Sequence, residues 1–495
     1  MDIFGDTLTT QQILLLMLAL TLAFSFEFVN GFHDTANAVA TVIYTNTLKP
    51  TVAIIWSGFW NWVGVLTSTG VVAFSIVALL PVELVIDAGS EASLVMVFSL
   101  LLSAIIWNFG TWYLGLPGSS SHTLIGSIMG VGLANSLLRE HILGAGVNWE
   151  TVKNVFFSLL VSPILGFSAA GLVLLLLKLL VKPPQLYEPP EQDKAPPLWI
   201  RALLILTCTG VSFAHGSNDG QKGMGLIVLI LISILPGIYA VNLNADQEVI
   251  QHLLTSSQSV VTIIDHYVPQ EISLDPQQAT IELSDFLKTK DLLASDKTFA
   301  ALATKDYEII DRLSGKESFT SLSTQDRFSL RNDFYLVAGT INKLNLFNKF
   351  TDANEKEIIA EFQTELEQQI KFIPAWVKIG VAFALGIGTM IGWKRIVVTV
   401  GEKIGKEHLS YAQGASAEMV AMGTIIAADY LGLPVSTTHV LSSGVAGTMA
   451  ANRSGLQVGT LKSILLAWVL TLPICVLLAA GIYAGTLSLL QLLSS

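Results

Sequence analysis

The sequence has few charged residues and almost no cysteine, and both shortages restrict what the protein can be. Charged side chains make up 13% of its 495 residues, whereas soluble globular proteins contain roughly a quarter. The two cysteines, Cys208 and Cys475, lie in apolar runs, which favours buried core thiols over a disulfide or a metal site. No HExxH, CxxC, Walker A or GxSxG pattern occurs, so the motifs of common hydrolases and nucleotide-binding enzymes are missing.

The N-terminal segment also lacks positive charge. The first basic residue of the chain apart from histidine is Lys49, so the basic region that begins a cleavable signal peptide is missing. We expect the first apolar segment to remain in the protein as a helix.

What the sequence does have is long apolar runs. Hydrophobic residues make up 52% of the chain and the mean hydropathy is +0.61. Runs long enough to span a bilayer lie in the first half at about 11–44, 51–80, 92–116 and 152–182, with the polar-started segment 117–137 before the last. The second half repeats the pattern at about 199–238, 374–400, 410–431, 434–451 and 459–491. The prediction is an all-α polytopic membrane protein embedded in a lipid bilayer.

The number of segments in each half predicts how the halves are oriented. An odd number, five, turns the second half upside down relative to the first, which is the inverted-repeat architecture of many secondary transporters. With the N- and C-termini outside, the inner loops carry the basic residues Lys49, Lys182, Lys394, Arg395 and Arg453, as the positive-inside rule requires.

Composition shifts divide the chain into parts. We assign 1–182 to the first membrane repeat, 183–198 to a proline-rich cytoplasmic linker, 199–240 to the first helix of the second repeat and 373–495 to its remainder. Between them, 241–372 is rich in charge with apolar residues at helical spacing, which predicts a soluble helical insertion outside the membrane. The net charge of −11 reflects mainly this insertion, so we expect no nucleic-acid partner.

Two polar boxes interrupt the apolar runs. The first is Gly31-Phe32-His33-Asp34-Thr35-Ala36-Asn37-Ala38, and the second runs from His215 to Gly225 and contains Asn218, Asp219 and Lys222. In an alignment of the two boxes, Asp219 matches Asp34 and Lys222 matches Asn37. Ionisable residues at bilayer depth are costly unless they face a cavity, so both boxes predict a functional site.

A second motif follows each box. It reads LPGSSSHT around Ser119, Ser120 and Ser121, and LPVSTTHV around Ser436, Thr437 and Thr438. Proline ends a helix, and the hydroxyl residues after it are typical helix N-caps. Two half-helices that begin in mid-membrane would present free N–H groups and positive dipole ends. We therefore expect these broken or re-entrant helices to bind a tetrahedral oxyanion between them.

Two carboxylates beside an anion need an explanation. Asp34 and Asp219 could bind a cation that travels with the anion, take up protons, or accept hydrogen bonds from an anion that itself carries protons. Phosphate is protonated at neutral pH and sulfate is not, so the pair favours phosphate. A fixed negative charge would hinder an anion channel, which leaves coupled transport as the leading interpretation.

Further buried ionisable residues bear on coupling. A lysine offers three donors and no acceptor, so Lys222 cannot replace Asn37 as a sodium ligand; it would instead pair with Asp219 or contact the anion. Glu27 and Glu418 are candidate proton carriers. For His33, His122, His215 and His439, a satisfied buried histidine is the preferred interpretation over a proton relay.

At these four motifs the chain resembles the inorganic phosphate transporter (Pit) family, closest to its bacterial low-affinity branch. The segments GFHDTANAVATVIYT, AHGSNDGQKGMG, LPGSSSHTLIGS and LPVSTTHVLSSGVAG match its signatures and cover both membrane halves. The sequence departs from the wider family pattern at His33, where that pattern has Asn, and at Gln221-Lys222, where it has Ala-Asn. These departures bear on sodium coupling.

The resemblance implies a secondary transporter, not an enzyme, that imports inorganic phosphate by proton symport across the cell (inner) membrane. It implies no permanently bound cofactor or fixed metal, but a divalent metal as a co-substrate in a neutral metal-phosphate complex. Carried over by position, the phosphate site would comprise Asp34, Asn37, Ser119, Ser120, Ser121, Asn218, Asp219, Ser436, Thr437 and Thr438. The alternatives are a sodium-coupled phosphate or sulfate symporter and, in another class, an anion channel; a homo-oligomer is one option for the assembly.

Overall fold

The computed structural model describes residues 2–3, 6–7, 9–34, 36–80, 86, 90–140, 147, 149–191, 194–268, 272–288, 295–350 and 352–494. Regular structure in these ranges is helical, apart from an isolated bridge between Gly405 and Leu456 and a short antiparallel pairing of β1 (Asp2–Ile3) with β2 (Asp6–Thr7). The prediction of an all-α chain is confirmed.

The helices fall into three groups along the chain. The first half contains α1 (Thr10–Asp34), α2 (Ala36–Tyr44), α3 (Pro50–Thr67), α4 (Val71–Val77), α5 (Glu91–Tyr113), α6 (Ser120–Asn135) and α7 (Trp149–Leu180). After α8 (Leu198–Ile234) and α9 (Pro236–Tyr239) come α10 (Gln247–Asp265), α11 (Pro276–Lys288), α12 (Asp296–Leu313), α13 (Thr324–Leu346) and α14 (Ala353–Ile370). The chain ends with α15 (Ala375–Met390), α16 (Lys394–Glu402), α17 (Tyr411–Tyr430), α18 (Thr437–Asn452) and α19 (Val458–Ser494).

Several helices have the length and composition of membrane spans. Five helical stretches of the described chain qualify, namely Thr10–Tyr44, Glu91–Tyr113, Val152–Leu180, Leu198–Ile234 and Val458–Leu493. Two bent pairs also qualify, α3 with α4 at 77° and α14 with α15 at 68°. The helices α6 and α18 have 16 residues each, which is less than the about 20 that a full span needs. The chain is therefore a multi-pass membrane protein in which α6 and α18 are shorter than a full span.

Two of the predicted apolar runs are broken by glycine. The run 51–80 is interrupted at Gly70 (φ 95°) and the run 374–400 at Gly392 (φ 73°). Both values lie in the left-handed region, which glycine adopts without steric cost. Polar residues lie beside both breaks, with Thr67, Ser68 and Thr69 before Gly70, and Lys394 and Arg395 shortly after Gly392.

Helices of the two halves pack on each other in matched pairs. Helix α1 contacts α15 while α8 contacts α3, and α18 contacts α7 while α6 contacts α19. Helices α1 and α8 begin the two halves, and each packs on a helix of the other half. The helices α6 and α18 do the same with α19 and α7. Two related repeats would produce this exchange; the inversion of one repeat stays a prediction.

The helices α10 to α14 enclose a core of their own, which includes Ile309, Phe334 and Phe362. They are attached to the membrane helices through α13. Arg327 Nη1 donates to the carbonyl of Gly237, 2.8 Å away, and Asn332 Nδ2 donates to the carbonyl of Ile86 at 3.1 Å. The predicted boundaries of this insertion and of the other parts stay predictions.

Candidate functional site

The helices α6 and α18 begin with serine caps. The Ser119 hydroxyl accepts a hydrogen bond from the His122 N–H at 3.2 Å, and the Ser436 hydroxyl accepts one from the His439 N–H at the same distance. Such a cap satisfies one of the free amide groups of the first turn. Ser119 and Ser436 therefore cap the N-termini of α6 and α18. The hydroxyls that follow them, those of Ser120 and Thr438, reach Asp34.

Asp34 is the point where both half-helices converge on α1. Thr438 donates to its Oδ1 at 2.7 Å, and Ser120 donates to its Oδ2 at 3.1 Å. His33 Nδ1 lies 3.0 Å from Oδ1. The carboxylate is buried, and hydroxyl donors from α6 and α18 take the place of water around it. One aspartate thus links the two duplicated motifs.

Asp219 on α8 forms an ion pair with Lys222. The ammonium nitrogen lies 2.7 Å from Asp219 Oδ1, and both side chains are fully buried. The same ammonium donates to Ser121 Oγ at 2.6 Å, and Ser120 donates to Asp219 Oδ2 at 3.3 Å. Burying a charge is tolerated when it is paired and hydrogen-bonded, so Lys222 balances the second carboxylate and reaches α6.

His215 lies between the two aspartates, and the sequence interpretation of this residue missed that position. Its Nε2 is 3.6 Å from Asp34 Oδ2 and 3.5 Å from Asp219 Oδ2, while its Nδ1 lies 2.7 Å from Asn61 Oδ1. A ligand atom from each of Asp34, His215 and Asp219 lies within 4.8 Å of the other two. The sequence did indicate part of this arrangement, because His215 and Asp219 are four residues apart and residues at that spacing share a helix face.

The two asparagines of the predicted site contact the start of α18 and the chain just before it. Asn37 Nδ2 donates to Thr437 Oγ1 at 3.1 Å and to Thr438 Oγ1 at 3.0 Å. Asn218 Nδ2 donates instead to the backbone carbonyl of Leu433 at 3.2 Å. Asn37 therefore shares the cluster of hydroxyls around Asp34, whereas Asn218 holds the chain before Pro434.

The two glutamates predicted as proton carriers have different positions. Glu27 on α1 packs against Gly223 on α8, the residue that follows Lys222. Glu418 on α17 accepts a hydrogen bond from Thr207. The described residues thus place Glu27, and not Glu418, next to the ion pair of α8.

Comparison with known proteins assigns the family. The model described as "Phosphate transporter family" matches residues 30–479. The chain belongs to the phosphate transporter family. The predicted resemblance to Pit proteins is confirmed, because the low-affinity inorganic phosphate transporter PitB of Escherichia coli (strain K12) is 42% identical over 495 residues, covering 96% of this chain and 97% of PitB.

More distant relatives extend this family across bacteria. A probable low-affinity inorganic phosphate transporter of Bacillus subtilis (strain 168) is 29% identical, covering 95% of this chain and 97% of its own length. A solved structure described as the sodium-dependent phosphate transporter has a TM-score of 0.52 at 20% identity, covering 96% of this chain and 99% of that one. The relatives are named as transporters, which confirms the prediction of a transporter rather than an enzyme.

Proposed function

We propose that this phosphate transporter imports inorganic phosphate by proton symport, across a cell (inner) membrane in which both termini face outside. The observation that carries the proposal is the buried ion pair between Lys222 and Asp219, at 2.7 Å. In a sodium-coupled site the equivalent position would offer an oxygen, as Asn37 does. An ammonium group offers only donors, so it would occupy the position of a sodium ion. The proton is then the proposed coupling ion.

The arrangement of hydroxyls suits a protonated phosphate. Ser120, Thr438 and the Lys222 ammonium surround the two carboxylates from different sides. A phosphate that enters between α6 and α18 would accept hydrogen bonds from these donors, with the helix N-termini adding their positive dipole ends. Its own O–H groups would donate to Asp34 and Asp219. Sulfate, which carries no proton at neutral pH, would leave both carboxylates facing an anion.

Glu27 is the proposed carrier of the coupling proton, with Glu418 as a second carrier on α17. Glu27 is fully buried, and it forms no ion pair with any basic residue of the described chain. Burying an unpaired carboxylate costs free energy that protonation removes. A proton on Glu27 would lie beside α8 one residue from Lys222, where it can act on the ion pair that holds Asp219.

A divalent metal ion is the proposed co-substrate. Asp34, His215 and Asp219 present two carboxylates and an imidazole within 4.8 Å of one another, a donor set that suits first-row divalent ions. A metal held there would attract phosphate to the N-termini of α6 and α18. Co-uptake of radiolabelled manganese with phosphate tests this part: His215→Gln should lower manganese uptake, and phosphate uptake that proceeds unchanged in the presence of a chelator would contradict it.

The experiment that tests proton symport is phosphate uptake into proteoliposomes with separately imposed gradients. We expect an inward proton gradient to drive uptake, a protonophore to abolish it and a sodium gradient to leave it unchanged. Asp34→Asn should remove uptake, whereas Asp311→Asn, on the exposed face of α12, should not.

Uptake that requires sodium at constant pH and membrane potential would instead support the alternative, a sodium-coupled phosphate or sulfate symporter. Uptake that follows the phosphate gradient and the membrane potential, and needs neither a proton nor a sodium gradient, would support an anion channel.

A further inference from the structure

A basic cleft lies between the C-terminal end of α5 and the short helix α16. Its volume is about 620 Å³. The polar and aromatic side chains that line it are Trp112, Trp393, Lys394, Arg395, Thr399 and Lys403. None of the described residues that line this α5–α16 cleft is acidic, so three cations face the cleft without a carboxylate among them.

Two of these cations are not neutralised by neighbours. Lys394 and Lys403 are exposed, and neither forms an ion pair with an acidic residue of the described chain. Glu402, the nearest acid in sequence, interacts with Tyr44 instead. The chain as a whole carries a net charge of −11, so this concentration of positive charge is local to α16.

The third cation is held in a fixed orientation. The Arg395 guanidinium lies over the ring of Tyr113, 4.8 Å from its centroid, and 5.4 Å from that of Trp112. One of its nitrogens donates to the carbonyl of Tyr113 at 2.8 Å. A guanidinium positioned in this way keeps further N–H groups for a planar or tetrahedral oxyanion, to which arginine binds with two parallel hydrogen bonds.

The rim of the cleft is apolar and open. Leu114 is 70% exposed, Tyr113 59% and Ile391 50%, at the ends of two apolar helices, α5 and α15. Aromatic and basic side chains at the ends of membrane helices mark the level of the lipid headgroups, where basic clusters bind anionic lipids. We propose that the α5–α16 cleft binds the phosphate group of an anionic phospholipid, whose acyl chains lie along this rim.

The cleft is connected to the first re-entrant hairpin. Thr399 Oγ1 donates to the carbonyl of Gly115 at 2.8 Å, and Trp112 Nε1 donates to the carbonyl of Gly392 at 2.8 Å. Gly115 (φ 68°) lies just before Pro117, where the chain turns toward α6. A lipid in the cleft would therefore hold α16 against the base of the hairpin that carries Ser120.

Native mass spectrometry of the purified full-length protein, titrated with phosphatidylglycerol, tests this proposal. We expect Lys394→Gln/Lys403→Gln to weaken retention of phosphatidylglycerol roughly 10- to 30-fold. Each lysine near the membrane surface adds a similar favourable free energy to the binding of an anionic lipid, and the variant removes two of them. The matched control is Lys49→Gln/Lys462→Gln, which removes two other exposed lysines that form no ion pair within the described part of the chain, and it should change retention about twofold or less.

The outcomes separate a lipid from a free anion, because a phosphate group is common to both. Equal retention by the two double variants would overturn the site. A second arm adds inorganic phosphate in large excess: phosphatidylglycerol that stays bound supports the lipid assignment, and phosphatidylglycerol that is displaced from the wild-type cleft overturns it in favour of free phosphate. Equal retention of phosphatidylcholine would also contradict the proposal, since that lipid carries no net charge.

Discussion

Glu27 on α1 lies directly over Gly223 on α8, and no side chain fits between them. A Cβ atom built at Gly223 would lie 2.3 Å from both the Cγ and the Oε1 atoms of Glu27. The absence of a side chain at Gly223 therefore brings a buried carboxyl group to the backbone of the helix that carries Asp219 and Lys222.

Replacing Gly223 by alanine should displace Glu27. Overpacking of this kind costs about 1–3 kcal/mol of stability, and the shifted carboxyl group should reduce proton-driven uptake of phosphate. Proteoliposome uptake and thermal unfolding measure the two effects. Gly481→Ala on α19 is the control, because nothing lies within 4 Å of a Cβ there. Wild-type uptake by Gly223→Ala would show that the position of Glu27 does not matter for coupling.

Ser120 and Thr437 are expected to contact the transported anion. Alanine at either position removes a hydrogen bond to a charged group and should weaken phosphate binding by about 1.5–3 kcal/mol. The apparent affinity for phosphate uptake measures this loss. Ser463→Ala, an exposed hydroxyl on α19, should leave the affinity unchanged. An unaltered affinity in Ser120→Ala or Thr437→Ala would mean that the corresponding hydroxyl does not contact the anion.

Lys222→Asn tests the role of the ammonium group in ion selection. This variant places a carboxamide at the position that aligns with Asn37 and leaves Asp219 without its cation. We expect proton-driven uptake to be lost and sodium to stimulate the uptake that remains. Removing one partner of a buried ion pair costs about 3–5 kcal/mol, so thermal unfolding must show that the variant is still folded. The surface substitution Lys462→Asn serves as a control, and proton-driven, sodium-independent uptake by Lys222→Asn would contradict the proposed role.

Asp306 in the insertion should make the stability of α12 depend on pH. Burial raises the pKa of this carboxyl group to about 8, although it accepts a hydrogen bond from Ser257. The folded state therefore keeps a proton that the unfolded chain, with a pKa of 3.8, has released. Between these two values stability should fall as pH rises, by up to about 1.4 kcal/mol per pH unit.

Hydrogen exchange along α12 in the full-length protein measures this effect. Comparing Asp306→Asn with the wild type at each pH cancels the intrinsic pH dependence of exchange. The protection of Asp306→Asn relative to wild type should grow from pH 4 toward pH 8. Asp311→Asn on the same helix removes an exposed carboxylate and should show no such trend; a difference of the same size in both variants would argue against burial as the cause.

The duplicated motifs made the clustering of their polar residues predictable from sequence. Two copies of each motif in the same order pointed to Asp34, Asp219 and the hydroxyls after Pro117 and Pro434, and these residues do lie together. The serine caps followed from local chemistry, since proline ends one helix and a hydroxyl residue starts the next. Local patterns of this kind need no knowledge of which helices are neighbours.

Contacts that depend on tertiary packing could not be predicted in the same way. His215 lies between two carboxylates only because α1 and α8 pack together, and its partner Asn61 comes from a third helix, α3. The close approach of Glu27 to Gly223 has the same origin. The break at Gly392 was also missed, although the charged residues Lys394 and Arg395 follow it closely in the sequence.

The exchanged packing of the last helices has a consequence for how the protein is made. Helix α7 packs on α18 of the other half, and α19 packs on α6, so α6 and α18 are each covered by a helix of the opposite half. A chain that stops after the linker would leave α6 exposed on the side that α19 covers, and α7 without α18. The first half could therefore not complete its packing until the second half has been synthesised.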